Sequence, residues 1–299
     1  MISKLIEKED PGISVVISAY NRPDYLEAAL ASVLSQSLPA KEIIVVDDCS
    51  PIELKPVVES FRNEMIRYIR SESNMGANAS RNIGVQSASG EYVAFLDDDD
   101  IWKENKLERQ FKVLNDTTDC NAVLCGFEFL ESGRVKVRTG EKEVVKEVLK
   151  KGNPYCGMSG FMAKRSTLAE HRFDESLVCG QDWDIYVRLF QSGTIAYVDQ
   201  ALFYYRFGTH EGISSKARKM TVDSYSPRLA SIVKHRHWLG EKYYRYRTSR
   251  QILIEISKKN RKYSWLMYSL REGGLVATLS AFLDMVKKRV SIVVQWSGY

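Results

Sequence analysis

The sequence predicts an α/β protein built on a mostly parallel sheet, and three observations carry that expectation. Apolar, largely β-branched runs recur at residues 13–18, 43–46 and 92–96, and such runs read as strands buried on both faces. Between the first two, Leu26, Ala29, Leu30, Val33 and Leu34 recur at helical spacing, which marks an amphipathic helix. The order β-α-β-α-β-α-β-α then implies a Rossmann-like sheet with helices on both faces.

The elements follow from local chemistry. The first strand, 13–18, ends at Ala19, Tyr20, Asn21, Arg22 and Pro23. Asn21 suits a helix cap and Pro23 the first turn of the helix. Pro39 closes that unit, and the second strand, 43–46, ends in Asp47 and Asp48. A weaker helix runs to about Asn63, and 66–69 forms a third strand. Asn74–Ala77 is a turn signal, followed by a short helix through Arg81 to Ser87. The fourth strand, 92–96, ends in Asp97, Asp98, Asp99 and Asp100, and Leu107, Phe111 and Leu114 mark the next helix.

Beyond Asn115 the pattern is mixed. Strand character at 122–130 is followed by a helix at 142–150 and a short strand at 158–163. Residues 180–184 open a helix with Trp183, Tyr186, Val187 and Phe190 on one face. Strand character at 195–206 leads into a loop at 207–212, and from about Met220 the chain reads as helical. The segment 275–296 is apolar at both ends but interrupted by Asp284 and by Lys287, Lys288 and Arg289. Three adjacent cations argue against a spanning helix and for an interfacial or partner-docking one.

A chain of 299 residues can bury a large core. The expected division is a body at 1–215 and a basic, aromatic-rich helical region at 216–299. That region holds 18 Lys and Arg against 5 Asp and Glu, a balance of +13, whereas the rest holds 25 against 33, a balance of −8. A basic tail on an acidic body suggests contact with an anionic surface. Nucleic acid and anionic lipid both satisfy the charge, but no nucleic-acid-binding module accompanies it. Five cysteines without a CxxC pair argue against a disulfide framework or a zinc site and fit a reducing compartment. The charged first ten residues and the short apolar run after them do not read as a secretory signal. A cytoplasmic location is therefore expected, where the sequons at Asn78 and Asn115 have no meaning.

Four adjacent carboxylates repel one another, so a fold gains from them only if a cation binds. Hard oxygen ligands suit Mg²⁺ or Mn²⁺. A solvated acidic turn is the competing reading, and the strand before the acids and Ile101-Trp102 after them argue against it. In parallel sheets ligands bind beyond the carboxyl ends of the strands. Tyr20 and Asn21, Asp47 and Asp48, and Asp97 to Asp100 are thus expected to converge on one cleft. Asp182 and Asp184 could serve only the helix dipole.

Five blocks together resemble the family 2 glycosyltransferases of the GT-A fold, over roughly residues 12–215. They are Ser14 to Arg22, Ser35 to Ser50, Asn74 to Gly84, Gly90 to Asp100, and Gly180-Gln181-Asp182-Trp183-Asp184. The resemblance implies a nucleotide-sugar donor (a UDP-sugar by default), Mn²⁺ or Mg²⁺, and transfer of one sugar to a hydroxyl with inversion. By the same resemblance Asp48 accepts the base N–H beside Ala19, Tyr20 and Asn21, and Arg81 contacts the nucleotide. Asp97 opens the DxD pattern, Asp98 faces the ribose, and Asp99 ligates the metal with His210 nearby. Asp182 is the general base, with Trp183 and Gln181 toward the acceptor. His171, His235 and His237 receive no role. Two departures stand out. Gln181 replaces the family's usual glutamate, and the QxxRW block of processive synthases is absent, which favours single additions over polymerisation.

The implied acceptor is a glycan or lipid-linked precursor of an envelope polysaccharide such as lipopolysaccharide or capsule. The basic tail would then meet the inner leaflet as a peripheral membrane contact, or a second copy of the chain. A sugar-phosphate nucleotidyltransferase would share the sheet and the metal carboxylates, but no Gly-rich, cationic phosphate loop follows the first strand. A non-catalytic nucleotide- or carbohydrate-binding module would have no need of Asp99 and Asp182.

Overall fold

In the computed structural model, which describes residues 12–207, 220–256 and 261–296, the chain divides into two compact units. The first holds the described residues up to Val145, together with 153–175 and 185–207. The second holds Lys146–Gly152, Ser176–Asp184 and the described residues from Met220 onward.

The first unit opens with β1 (Ile13–Ala19), α1 (Pro23–Leu34), β2 (Glu42–Asp47), α2 (Lys55–Ser60) and β3 (Ile66–Arg70). It continues with α3 (Ala77–Ser87), β4 (Tyr92–Asp97), the short β5 (Ile101–Trp102) and α4 (Lys106–Asp116). Next come β6 (Cys120–Phe129) and β7 (Val135–Lys136). After α5 (Lys146–Lys151), which belongs to the second unit, follow β8 (Met162–Lys164), α6 (Arg165–Glu170), α7 (Gln181–Ser192), whose residues up to Asp184 belong to the second unit, and β9 (Thr194–Tyr205). The sheet order is β3-β2-β1-β4-β8-β6-β9-β5, with β7 paired to β6. The β3-β2-β1-β4 half is parallel throughout, as the β-α-β pattern requires. β8 runs antiparallel to both β4 and β6, and the parallel β6–β9 pair extends the other half.

Register sets the working end of the sheet. Ala19 pairs with Asp47, and Ser18 with Asp97, so β1, β2 and β4 finish at one level. Close approach of α3 to this layer depends on Gly84, where a Cβ would stand 2.3 Å from Val16 Cγ1. Below the site, Phe95 stacks on Phe161 at 5.4 Å and meets Phe173 edge-on at 5.3 Å. Such aromatic pairs add specific geometry to the burial term.

Several sequence expectations need correction. Asn21 does not cap α1. It adopts φ 57°, the N-cap position falls on Arg22, and no side chain caps the helix. The weak helix after β2 ends at Ser60 rather than near Asn63, because the chain turns through a left-handed Arg62. The helix expected at 142–150 starts only at Lys146. Ahead of it Glu143 bridges to Ala196 and Val144 N donates to Ile195 O, so that stretch is spent on the sheet. Residues 158–160 form a 3₁₀ turn instead of a strand, and β8 begins at Met162. The turn aims Ser159 at the acids, as described below.

In the second unit a 3₁₀ turn at Ser226–Leu229 leads into α8 (Ala230–Lys234), α9 (Arg236–Ile256), bent at Gly240, α10 (Lys262–Gly273) and α11 (Leu275–Trp296). Helix α11 turns Thr278 and Ala281 inward, where Thr278 Oγ1 donates to Ser269 O at 3.1 Å. Its outward row is apolar: Leu275, Val276, Leu279, Phe282, Leu283 and Val286 are all exposed, Val276 by 82%. An apolar cavity of about 260 Å³ lies between Leu253, Tyr263, Leu266, Phe282 and Met285. Among the described residues, no helix is long and apolar enough to cross a membrane.

Candidate active site

The three strand ends meet through hydrogen bonds that span the sequence. At the end of β4, Asp98 accepts Tyr20 N at 2.8 Å and Arg22 Nη1 at 2.7 Å. The same Arg22 nitrogen lies 2.9 Å from Asp99 Oδ2. Burial pushes the Asp98 carboxyl up to about 7 against the pull of Arg22, and neighbouring Asp99 adds to the rise. Asp97 is held by Arg81 Nη2 at 2.7 Å. Asp100 accepts Ser159 Oγ, and Arg206 N at 3.0 Å. Burial raises the Asp100 carboxyl well above its ordinary range, with Asp99 and Asp97 reinforcing the shift. Asp98 and Asp100 are thus buried into the fold, whereas the side chains of Asp97 and Asp99 keep 32% and 15% of their surface.

At the end of β2 the two acids differ. Asp47 is fully buried and orients the loop: it accepts Ser50 N at 2.8 Å, Tyr68 OH at 2.6 Å and Arg70 Nη1 at 2.8 Å. Ser50 Oγ in turn receives Asn21 N at 2.9 Å, which ties the β1 and β2 ends together. Asp48 faces the start of α3, where Oδ1 accepts Met75 N at 2.7 Å and Oδ2 accepts Gly76 N at 2.8 Å. A carboxylate there is favoured by the helix dipole. Burial nevertheless raises its pKa, opposed by those two bonds. Arg81 is itself buried, bonded to Asn78 Oδ1 at 3.2 Å and lying 5.9 Å from the Phe173 ring. Ala19 lies at the end of β1, with its carbonyl accepting Asp48 N at 2.9 Å.

The block at 180–184 lies in the second unit. Gly180 takes φ +71°, and a Cβ there would stand 2.5 Å from Ser231 Oγ, so only glycine fits ahead of α7. Gln181 Nε2 donates to Leu177 O at 2.8 Å, and Asp182 Oδ1 accepts Trp183 N at 2.8 Å. Trp183 is 1% exposed and donates Nε1 to Leu149 O at 2.7 Å. Asp184 is equally buried, with Oδ1 2.7 Å from His235 Nε2 and 2.9 Å from Lys234 Nζ. Asp184 therefore anchors α7 rather than merely serving its dipole. His210 lies outside the described residues.

The sequence reading missed Arg22, Ser159, Arg206 and His235. Arg22 closes the first of the five blocks, and its position next to Asn21 is the available signal. Ser159, Arg206 and His235 carry none, because their partners are 50 or more residues away. Among the described residues, no three His, Cys, Asp or Glu side chains group to hold a metal ion unaided.

Comparison with known proteins gives the family and the fold. The family model for glycosyl transferase family 2 matches residues 14–172, which span β1 through the acids to α6. The amylovoran biosynthesis glycosyltransferase AmsB of Erwinia amylovora is 31% identical over 242 residues, covering 74% of this chain and 80% of that one. Among solved structures, a fragment (1–349) of S. aureus TarS in complex with UDP-GlcNAc aligns with a TM-score of 0.61 at 17% identity, covering 92% of each chain. The mannosyltransferase PcManGT of Pyrobaculum calidifontis, in complex with GDP-Man and Mn²⁺, aligns with a TM-score of 0.61 at 16% identity, covering 95% of this chain and 81% of that one. At such identities the likeness shows the fold, which is of the GT-A type. With the family model matched over more than half its length, the chain belongs to glycosyl transferase family 2.

Proposed function

We propose that this glycosyltransferase moves a single sugar from a nucleotide-diphosphate sugar, preferentially a UDP-sugar, to a hydroxyl of an envelope glycan or its lipid-linked precursor, with inversion. The observation that carries the reading is the convergence of Tyr20–Arg22, Asp47–Asp48 and Asp97–Asp100 at the ends of β1, β2 and β4. Tyr20 and Asp48 form the nucleotide end, with Asp48 toward the base and the Ala19–Asn21 backbone beside it. Arg81 fixes Asp97, and the buried Asp98 holds the Tyr20 backbone and Arg22 on the ribose side.

The residues fit a divalent cation. Asp97 and Asp99 offer hard oxygens with accessible surface. Mg²⁺ is commonly held by one or two carboxylates plus substrate phosphates, so the donor diphosphate would complete the shell. A bound Mn²⁺ or Mg²⁺ would supply Lewis-acid stabilisation of the diphosphate leaving group. Arg22 already sets one cation against Asp98 and Asp99 and so limits their mutual repulsion before donor arrives. Asp182, at the start of α7, takes the proton from the acceptor hydroxyl, which is a poor nucleophile until it is deprotonated. His210 is the candidate beside the diphosphate.

The outward apolar row of α11 and the +13 balance from Lys216 onward support a peripheral location at an anionic inner leaflet. Each cation near such a surface contributes about 1 kcal/mol. Salt-sensitive cosedimentation with anionic vesicles tests it, and absence of binding would remove the membrane contact.

The function is tested by donor hydrolysis with UDP-, dTDP- and GDP-sugars in Mn²⁺ and in EDTA. Slow, metal-dependent hydrolysis of one donor is expected. In Asp182→Asn, transfer should be lost while nucleotide binding is retained. Failure of every donor to bind in the presence of metal would overturn the reading.

A further inference from the structure

Two arginines of the second unit are arranged in a way that donor chemistry does not explain. Arg247 and Arg250 stand three residues apart on α9 and so share a face. The Arg247 guanidinium carbon lies 4.2 Å over the Trp183 ring, beside Asp182 in sequence. Arg250 reaches the Lys151 carbonyl with Nη1 at 2.7 Å. Both Nη1 atoms crowd the same side of Gly152, where a Cβ would stand 2.7 Å from each. Gly152 takes φ +151°, and its lack of a side chain makes room for both guanidiniums, which fill the space a Cβ would take.

Like charges this close repel, and nothing described cancels them fully. Arg247 Nε is buried with no hydrogen-bond partner among the described residues. Burial, then Arg250, hold the Arg247 pKa down to about 10, with Asp182 as the first opposing charge. A stranded donor and a like-charge pair are both relieved by one ligand, an oxyanion. Donors from two guanidiniums approaching from different directions suit the tetrahedral oxygens of phosphate better than a planar carboxylate.

We propose that Arg247 and Arg250, with Trp183 as backing and Gly152 admitting both guanidiniums side by side, bind a phosphoryl group carried by the acceptor. The assignment to the acceptor rests on reading Asp182 as the base; the phosphate site itself does not. The phosphoryl group can come from a phosphodiester in a polymer or from the diphosphate of a lipid-linked precursor.

The test is calorimetric titration of the full-length protein with two probes, glycerol phosphodiester oligomers and farnesyl diphosphate, with glucuronate as the carboxylate control. Arg247→Gln and Arg250→Gln should each weaken phosphate binding about tenfold or more. Arg245→Gln, which removes the same charge from an exposed pair with Glu241, should not. Arg250 is only half-buried, so its variant keeps the test alive if Arg247→Gln fails to fold. The tighter of the two phosphate arms names the source. Equal binding by wild type and both variants, or no binding by wild type, overturns the proposal, and so does preference for glucuronate. Donor hydrolysis by wild type is read in parallel: its failure with phosphate binding intact would sink the transferase reading alone.

Discussion

Arg22 holds Asp98 through one nitrogen, Nη1, at 2.7 Å, and that nitrogen also reaches Asp99. The contact links the loop after β1 to the acids after β4. Arg22→Ala should lower stability by about 2–3 kcal/mol, because a buried carboxylate then loses its cation. Since one nitrogen makes both contacts, Arg22→Lys should recover a substantial part of that loss. Urea midpoints of the three proteins check the order.

Acid sensitivity should be traceable to Glu42. Burial favours its neutral form, but hydrogen bonds from Ser89, Ser14 and Arg67 outweigh that and bring its pKa down to about 2. A carboxylate depressed in the folded state stabilises above its unfolded pKa of about 4.3, and that stability is lost as pH falls toward 2. Denaturation midpoints measured from pH 6 to pH 2 should therefore fall less steeply in Glu42→Gln than in wild type. Equal slopes would place the sensitivity elsewhere.

Gly84→Ala should destabilise by about 1–3 kcal/mol, since its methyl group would press on Val16 in a close-packed layer. Val16→Ala alone should also destabilise. The double variant should cost less than the two single changes added together, because the space removed by one is returned by the other. A double-mutant cycle in denaturant measures this directly.

Breaking the Asp184–His235 pair should cost more than most surface changes. Asp184 is buried with Lys234 and His235 on the same oxygen, so Asp184→Ala takes the acceptor from both and leaves the buried His235 ring without it. A loss of about 3 kcal/mol is expected. Thermal unfolding with and without the substitution decides it, and an unchanged midpoint would show that α7 is anchored by packing alone.

The parallel half of the sheet was legible because uninterrupted apolar runs and amphipathic spacing are local signals. The convergence of Tyr20, Asp48 and Asp98 followed from the rule for strand carboxyl ends. The interior of the site was less legible. Asn21 has the chemistry of a cap, yet the turn that meets Ser50 needed it in the left-handed region. Residues 158–160 look like a strand in composition, but Ser159 is required at Asp100 and as acceptor of Asp97 N, and a 3₁₀ turn delivers it. His235 could not be assigned from sequence, because its partner Asp184 is 51 residues away.

The row of apolar side chains along α11, with Val276 82% and Leu275 63% exposed, also governs how the protein handles in a test tube. Water wets that edge poorly, and the cations of the same region keep two such edges apart by repulsion. Added salt screens the repulsion and leaves the apolar contact, so self-association should rise with ionic strength instead of falling. A mild non-ionic detergent should coat the row and sharpen the elution profile. Leu279→Glu should do the same without detergent.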